Sequence, residues 1–177
     1  MPGYLKRKDD RDCDKKVSCD CKTNESCDKH VKPISKPLLL FCGQGGNTEF
    51  TSPDDPPVNI GSVVVDTRTL DKPKIKIKFS SIVNFTGLAA NPAALLTFRL
   101  FRVCDGGVPF PLSNWVYEAF QINEVNALLR FNTSFAFIFC ERSRCPRLCE
   151  YFVEVSIDNL VNAEVAVNNV QIQSFAQ

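Results

Sequence analysis

The stretch KIKIKFSSIVNF, residues 74–85, decides the fold. Its first half alternates strictly: apolar side chains stand at positions 75, 77 and 79, and lysines stand at 74, 76 and 78. A period of two is typical of a β-strand that turns one face to a core and the other to solvent. The lysine row is compatible with a binding stripe, but a solvated face or a guard against edge pairing is the more usual role of such a row.

Seven further stretches outside this strand carry strand patterns separated by turn signals. They are residues 38–42, 58–66, 95–104, 115–122, 134–140, 151–158 and 164–176, the last as one long strand or two short ones. Residues 123–130 (NEVNALLR) have helical spacing but are too few to decide, and residues 87–94 are compatible with one helical turn. About eight strands with almost no helix predict an all-β fold, an eight-stranded jelly-roll β-sandwich over residues 37–177.

Residues 1–36 differ from this domain in composition and predict a flexible, extended N-terminal connector arm. Four of the nine cysteines lie here, Cys13, Cys19, Cys21 and Cys27, together with ten basic and seven acidic residues. So few apolar side chains cannot offset the entropy of ordering the segment, which predicts a solvated arm. Pro33 and Pro37 then disfavour helix at the junction with the domain.

Charge and hydropathy exclude several classes of function. The net charge of +1 divides into +3 in the arm (10 − 7) and −2 in the remainder (11 − 13). Nucleic-acid binding and membrane-surface binding need a concentrated basic face, so neither partner is expected. No apolar run approaches the ~20 residues of a spanning helix. The N-terminus has no apolar segment typical of a secretory signal, which predicts synthesis without ordinary signal-peptide export.

Catalytic and cofactor chemistry is not expected. The single histidine, His30, lies in the arm, whereas a nucleophile requires a rigidly held base, so we predict no enzyme, no catalytic residues and no cofactor. Zinc is a weaker alternative because the arm cysteines are spaced by five, one and five residues. The set Cys140, Cys145 and Cys149 is spaced somewhat better, but an intrachain disulfide, including one with Cys104, explains it equally well.

The odd number of cysteines leaves at least one thiol free, metal-bound or paired with another chain. An extended arm of this length reaches roughly 100 Å at ~3.3 Å per residue, whereas the domain is only about 30 Å across. The arm can therefore reach neighbouring copies, and a head-to-tail contact that does not close generates a filament. Because the arm lacks large alternating apolar side chains, disulfides rather than inserted side chains are expected to attach it, while strand edges add contacts between domains.

Five stretches carry a resemblance to a known family: LLLFCG (38–43), GSVVVDTRTL (61–70), KPKIKIKF (72–79), FRLFRVC (98–104) and FIFCERSRCPRLC (137–149). In these the chain resembles a family of small β proteins from clostridia and related spore-formers, known as a domain of unknown function. The architecture also resembles the endospore appendage pilins, jelly-roll subunits behind a cysteine-bearing connector. The resemblance implies disulfides from Cys13, Cys19, Cys21 or Cys27 to domain thiols of other subunits, with Cys42 and Cys140 as receivers. Cys104, Cys145 and Cys149 would then bond within the domain or form further links.

We therefore expect a structural, self-assembling subunit of a spore-surface fibre, a homopolymer made in the mother cell and oxidised outside it. A spore-surface anchor protein is a further expected partner. The alternatives are a spore-coat or exosporium layer protein, a sugar-binding jelly roll that uses exposed aromatic residues, and a zinc-binding cysteine-rich protein.

Overall fold

The computed structural model describes residues 38–122, 128–143 and 147–177, and within them the chain is all-β with no helix. The arm predicted over residues 1–36 lies outside the described residues, so its boundary with the domain stays a prediction. Most of the ambiguous segment 123–130 also lies outside them. The all-β fold class predicted from the alternating patterns is confirmed.

Ten strands are formed by the described residues. They are β1 (Leu39–Cys42), β2 (Gln44–Gly45), β3 (Thr48–Phe50), β4 (Val58–Asp66), β5 (Lys74–Gly87), β6 (Ala93–Cys104), β7 (Phe110–Phe120), β8 (Leu129–Arg142), β9 (Leu148–Val161) and β10 (Ala163–Ala176). The first sheet has the order β1-β10-β5-β8, with β3 also pairing with β10, and the second has the order β2-β4-β9-β6-β7. Every ladder is antiparallel.

The core lies between the two sheets and is rich in stacked aromatic rings. Phe79 of β5 packs on Phe98 of β6 and on Phe137 of β8, with ring centroids 5.9 Å and 4.9 Å apart. Trp115 of β7 stacks on Phe137 at 3.7 Å, and Phe135 stacks on Phe98 at 4.2 Å. Phe135, Phe137 and Phe139 form one phenylalanine stripe on β8, in the core or packed against it, and Trp115 is not a free platform for a sugar ring.

Strand β5 lies inside the first sheet, between β10 and β8. Its apolar residues Ile75, Ile77 and Phe79 are buried, and its lysines turn to the opposite, outer side of the sheet. An interior strand has no free edge to protect, so the edge-guard interpretation of the lysine row is wrong. The lysines form a solvated outer face.

Several strands begin or end away from their predicted positions. Strand β7 starts at Phe110 rather than at residue 115, and Pro111 is tolerated because β7 is an edge strand with a register shift opposite it. Strand β8 continues to Arg142 rather than ending at residue 140, and β9 begins at Leu148 rather than at residue 151. Residues 88–92 connect β5 to β6 without the helical turn that residues 87–94 allowed.

Residues 164–176 were predicted as one long strand or two short ones, and the structure has one strand, β10, with an irregularity. Its register against β5 shifts between Asn168 and Gln171, and Asn169 has a φ of 51°. One residue in the left-handed region lets the chain bulge and then resume the same ladder.

A candidate cross-linking face

Cys42 and Cys140 are free, exposed thiols on strands of the first sheet. Cys42 ends β1 and lies directly opposite Gln173 of β10. The neighbours of Gln173, Ile172 and Ser174, are buried in the core, so Gln173 and the residue opposite it belong to the outer face.

Cys140 lies on the same outer face, on β8 at the other edge of the sheet. One row of paired residues runs from it across the sheet: Lys76 on β5, Phe175 on β10 and Leu40 on β1. The adjacent row across the four strands contains Cys42. We call these two rows the thiol face: Leu40, Phe175, Lys76 and Cys140, then Cys42, Gln173, Lys78 and Ile138.

The two thiols of the thiol face are too far apart to bond to each other. Three strand-to-strand steps of about 4.8 Å separate them across the sheet, and two residues separate them along it, which together give about 16 Å. A disulfide requires Cα atoms about 4.4–6.8 Å apart. Each thiol is therefore available only to a cysteine of another segment or another chain.

The surroundings of the thiols are apolar and basic. Leu40 and Ile138 are 58% and 55% exposed. Lys74 and Lys76 are exposed beside them. A depression of about 600 Å³ adjoins Cys140, lined among others by Leu38, Lys76 and Phe175. Such a surface can accept a chain that brings both apolar contact and negative charge.

Cys104 and Cys149 form a disulfide inside the domain. They are directly opposed on β6 and β9, with Cα atoms 4.0 Å apart, and they close a loop of 45 residues. Cys149 is therefore not available as a thiolate, which removes it from the zinc alternative with Cys140 and Cys145. Cys145 itself lies outside the described residues, as do Cys13, Cys19, Cys21 and Cys27.

Removing this disulfide is expected to destabilise the domain. The starting protein carries Cys42→Ser and Cys140→Ser, and in it Cys104 and Cys149 are replaced by alanine. The free energy of unfolding should fall by about 2–4 kcal/mol, because the disulfide restricts the unfolded chain by keeping a loop of this length closed. Urea denaturation without reductant measures the difference from the chain with the two serine substitutions alone. A difference that persists unchanged when both proteins are fully reduced would contradict the assignment.

A polar cluster lies beside Cys140 and joins the sheets. Glu141 of β8 accepts hydrogen bonds from the hydroxyl of Tyr151 on β9 and from Arg102 on β6, the latter at 2.8 Å. Tyr151 is fully buried, and burial raises the pKa of its hydroxyl well above the ordinary value of 10.0, with the hydrogen bond to Glu141 acting in the same direction. The cluster fixes the inward side of β8 while Cys140 faces outward.

The raised pKa of Tyr151 predicts a pH-dependent stability. Its contribution is fully present below pH 10 and is lost as the pH rises toward the folded-state pKa, because the unfolded chain ionises first. Tyr151→Phe removes the hydrogen bond to Glu141 and should cost about 1.5–3 kcal/mol at pH 8. The difference from the unsubstituted chain should narrow at pH 11. Urea unfolding at both pH values tests this, and a constant difference would contradict it.

Two searches of the described residues found nothing. They contain no group of three or more histidine, cysteine, aspartate or glutamate side chains placed to hold a metal ion. Nor is any helix among them long and apolar enough to cross a membrane.

The fold and the thiol face define an antiparallel two-sheet β protein with outward-facing free cysteines. The chain belongs to the family described as a domain of unknown function (DUF4489), whose model matches residues 36–177. No curated protein matches it.

Solved structures resemble the chain only distantly. The TNF Eiger from S. frugiperda is 9% identical, with a TM-score of 0.41 over 80% of this chain and 93% of that chain. The CBM22-1 xylan-binding domain of Xyn10C from Paenibacillus barcinonensis is 13% identical, with a TM-score of 0.26 over 77% of this chain and 94% of that chain. Both TM-scores are below 0.5, so nothing about function follows from either likeness.

Proposed function

We propose that the protein is a structural, self-assembling subunit of an extracellular spore-surface fibre, similar to the endospore appendage pilins. Its copies are joined by disulfides from Cys13, Cys19, Cys21 or Cys27 of one arm to Cys42 and Cys140 of another copy. The observation that carries the proposal is the thiol face, because two exposed thiols on one sheet cannot bond to each other. The other cysteine pair of the described residues is already bonded inside the domain.

The strand order supports a jelly roll as the subunit fold. Consecutive long strands from β4 to β10 belong to different sheets. The exception is the pair β6 and β7, which are neighbours in the same sheet. Repeated crossing between two antiparallel sheets is the arrangement that two Greek keys produce. Such a closed sandwich leaves its outer faces and its edge strands for contacts with other copies.

The edge strand β8 supports contact between domains. It has 14 residues, and within the described residues it pairs only with β5. A long strand with one unpaired side offers backbone N–H and C=O groups to a strand of another chain. Cys140 lies on this strand, so strand addition at the edge would also bring a neighbouring chain close to a receiving thiol.

Oxidation would complete the attachment. A small-molecule disulfide such as oxidised glutathione accepts two successive thiolate attacks, so that one protein S–S bond forms and two small thiols leave. Subunits would stay reduced in the mother cell and become linked on the spore surface or after lysis.

A gel under non-reducing conditions tests the proposal. The oxidised full-length protein should give a ladder that survives boiling in detergent and collapses with reductant, and negative-stain microscopy should show fibres. Sheets or amorphous material with the same ladder would favour the spore-coat alternative. A chain lacking residues 1–36 should form neither ladder nor fibres. Detergent-resistant fibres from that shortened chain would rule out the arm as the linker.

A further inference from the structure

The two ends of the β-sandwich, where its strands start and stop, carry opposite charge. We call the end where β5 begins, at Lys74, the basic end, and the end where β5 finishes, at Gly87, the acidic end. Glu141, one residue before the end of β8, bonds to Arg102 of β6, so the basic end belongs to both sheets. At the acidic end a single residue, Asn162, joins β9 of one sheet to β10 of the other.

A cut across the middle of the strands divides the charged side chains of the described residues unequally. The acidic half has one basic side chain, Arg130, and six carboxylates, a net charge of −5 (1 − 6): Glu49, Asp54, Asp55, Glu118, Asp158 and Glu164. The other charged side chains of residues 38–122, 128–143 and 147–177, nine basic and six acidic, belong to the basic half, a net charge of +3 (9 − 6). Arg99 and Glu154 lie near the cut, but they pair at 3.7 Å and so leave both totals unchanged.

Opposite charge at the two ends favours one mode of contact between copies. The basic end of one copy attracts the acidic end of another, whereas two basic ends or two acidic ends repel each other. The favoured contact joins two different surfaces and leaves one end of each kind free, so it does not close and repeats along a row. Because these charges are exposed, they orient the copies more than they hold them together, and salt weakens them.

We infer that the basic end of one copy contacts the acidic end of the next, so that the domains form head-to-tail rows along their strands. This inference rests on the proposed function for the fibre and adds which surfaces of the domains meet. Contact at the ends leaves the thiol face open to arms and leaves the edge strand β8 open to neighbouring rows.

Exposed apolar side chains add to the contact at both ends. Nine of the thirteen exposed large hydrophobic side chains in the described residues lie at strand tips or in the segments beyond them. Those at the basic end are Leu38, Val108, Phe110 and Leu148, and those at the acidic end are Leu88, Phe120, Ile122, Leu128 and Val161.

The end surface is too small to hold two copies together by itself. Five strands about 4.8 Å apart and two sheets about 10 Å apart, with their side chains, give an end of about 24 Å by 20 Å. This is below the roughly 800 Å² that each partner buries in an interface of standard size. The contact therefore sets the spacing and polarity of the copies, and the arm disulfides of the proposed function make it permanent.

The arm is attached at the basic end, where it is well placed to cross a junction between copies. The described part of the domain begins at Leu38, next to β1, and Cys42 and Cys140 lie near the same end. In a head-to-tail row the thiols of an adjacent copy are one domain length away, about 46 Å for a strand of 14 residues. Residues 1–36 reach roughly 100 Å when extended, so each arm can reach a receiving thiol of an adjacent copy.

Reversing the charge of one end or of both ends tests the contact in the full-length protein. The basic end changes from +3 to −5 with four substitutions: Lys72→Glu, Lys74→Glu, Arg142→Glu and Arg147→Glu. The acidic end changes from −5 to +3 with four others: Glu49→Lys, Asp54→Lys, Glu118→Lys and Glu164→Lys. A protein with all eight substitutions has complementary ends again. The three variants and the unsubstituted protein are kept reduced, urea unfolding confirms that each is folded, and sedimentation at low salt measures self-association.

The unsubstituted protein should associate about tenfold more tightly than either variant with one reversed end, because both ends of such a variant have the same sign of charge. The variant with both ends reversed should regain this association, and high salt should remove it again. Equal association of all four folded proteins, or no recovery in the variant with both ends reversed, would overturn the end-to-end contact.

Oxidation separates this inference from the proposed function. If the charge reversals have no effect but the oxidised protein still bonds its arm cysteines to Cys42 and Cys140 of other copies, only the end-to-end contact is overturned. If the reversals act as expected but the oxidised protein forms no such bonds, the end-to-end contact is supported and the proposed function is overturned.

Discussion

A full-length chain carrying Cys42→Ser and Cys140→Ser is expected to run as a monomer on a non-reducing gel after oxidation, where the unsubstituted chain gives a ladder. The physical reason is that these two thiols are exposed, free and about 16 Å apart on the outer face of the first sheet, and the proposed function makes them the receivers for arms of other copies. We expect every band of the ladder above the monomer to disappear.

The matched control removes two other cysteines. Cys104→Ala with Cys149→Ala deletes the bonded pair inside the domain, and this variant should keep its ladder at temperatures where it stays folded. The serine variant itself should be as stable as the unsubstituted monomer to within about 0.5 kcal/mol, because exposed side chains contribute little to folding. A ladder that disappears in the control and persists in the serine variant would reverse the roles assigned to the two pairs.

Phe137→Ala is expected to cause a large loss of stability. Phe137 is 6% exposed and stacks on Phe79 at 4.9 Å and on Trp115 at 3.7 Å, so it joins β8 to strands of both sheets. Truncating a buried phenylalanine costs about 3–5 kcal/mol, a large share of the roughly 5–15 kcal/mol that stabilises a typical domain. Urea denaturation under reducing conditions measures the loss.

The neighbouring residue provides the control for Phe137. Ile138 belongs to the same strand but to the outer face, where it is 55% exposed. Ile138→Ala should therefore cost no more than about 1 kcal/mol, the range of strand-propensity effects at exposed positions. Equal losses for the two substitutions would mean that the two faces of β8 are not assigned correctly.

Local alternation was enough to predict the fold class and most strands. The alternation around Ile75 and Ile77 indicates directly which face of β5 is buried, and the phenylalanine stripe does the same for β8. Strands β2 and β3 were not predicted because two or three residues are too few to show a period. The early start of β7 at Phe110 was missed because a proline, Pro111, argues against a strand unless an edge position is known.

The candidate site depended on long-range pairing that a sequence pattern does not contain. Alternation places Cys42 with Leu40 and Cys140 with Ile138 on their own strands. That β1 and β8 belong to one sheet, with their cysteines on one face, follows only from the sheet order. The pairing of Cys104 with Cys149 likewise requires the register of β6 against β9, which joins residues 45 positions apart. For the same reason the lysine row could not be assigned to an interior strand in advance.

Isotope mixing tests the central claim most directly. Equal amounts of ¹⁴N-labelled and ¹⁵N-labelled full-length protein are reduced, mixed and oxidised together, and the disulfide-linked peptides are identified by mass spectrometry. If arm cysteines bond to Cys42 and Cys140 of other copies, about half of those linked peptide pairs carry one label of each kind. Linked pairs that always carry a single label, or Cys42 and Cys140 recovered as free thiols, would contradict the account.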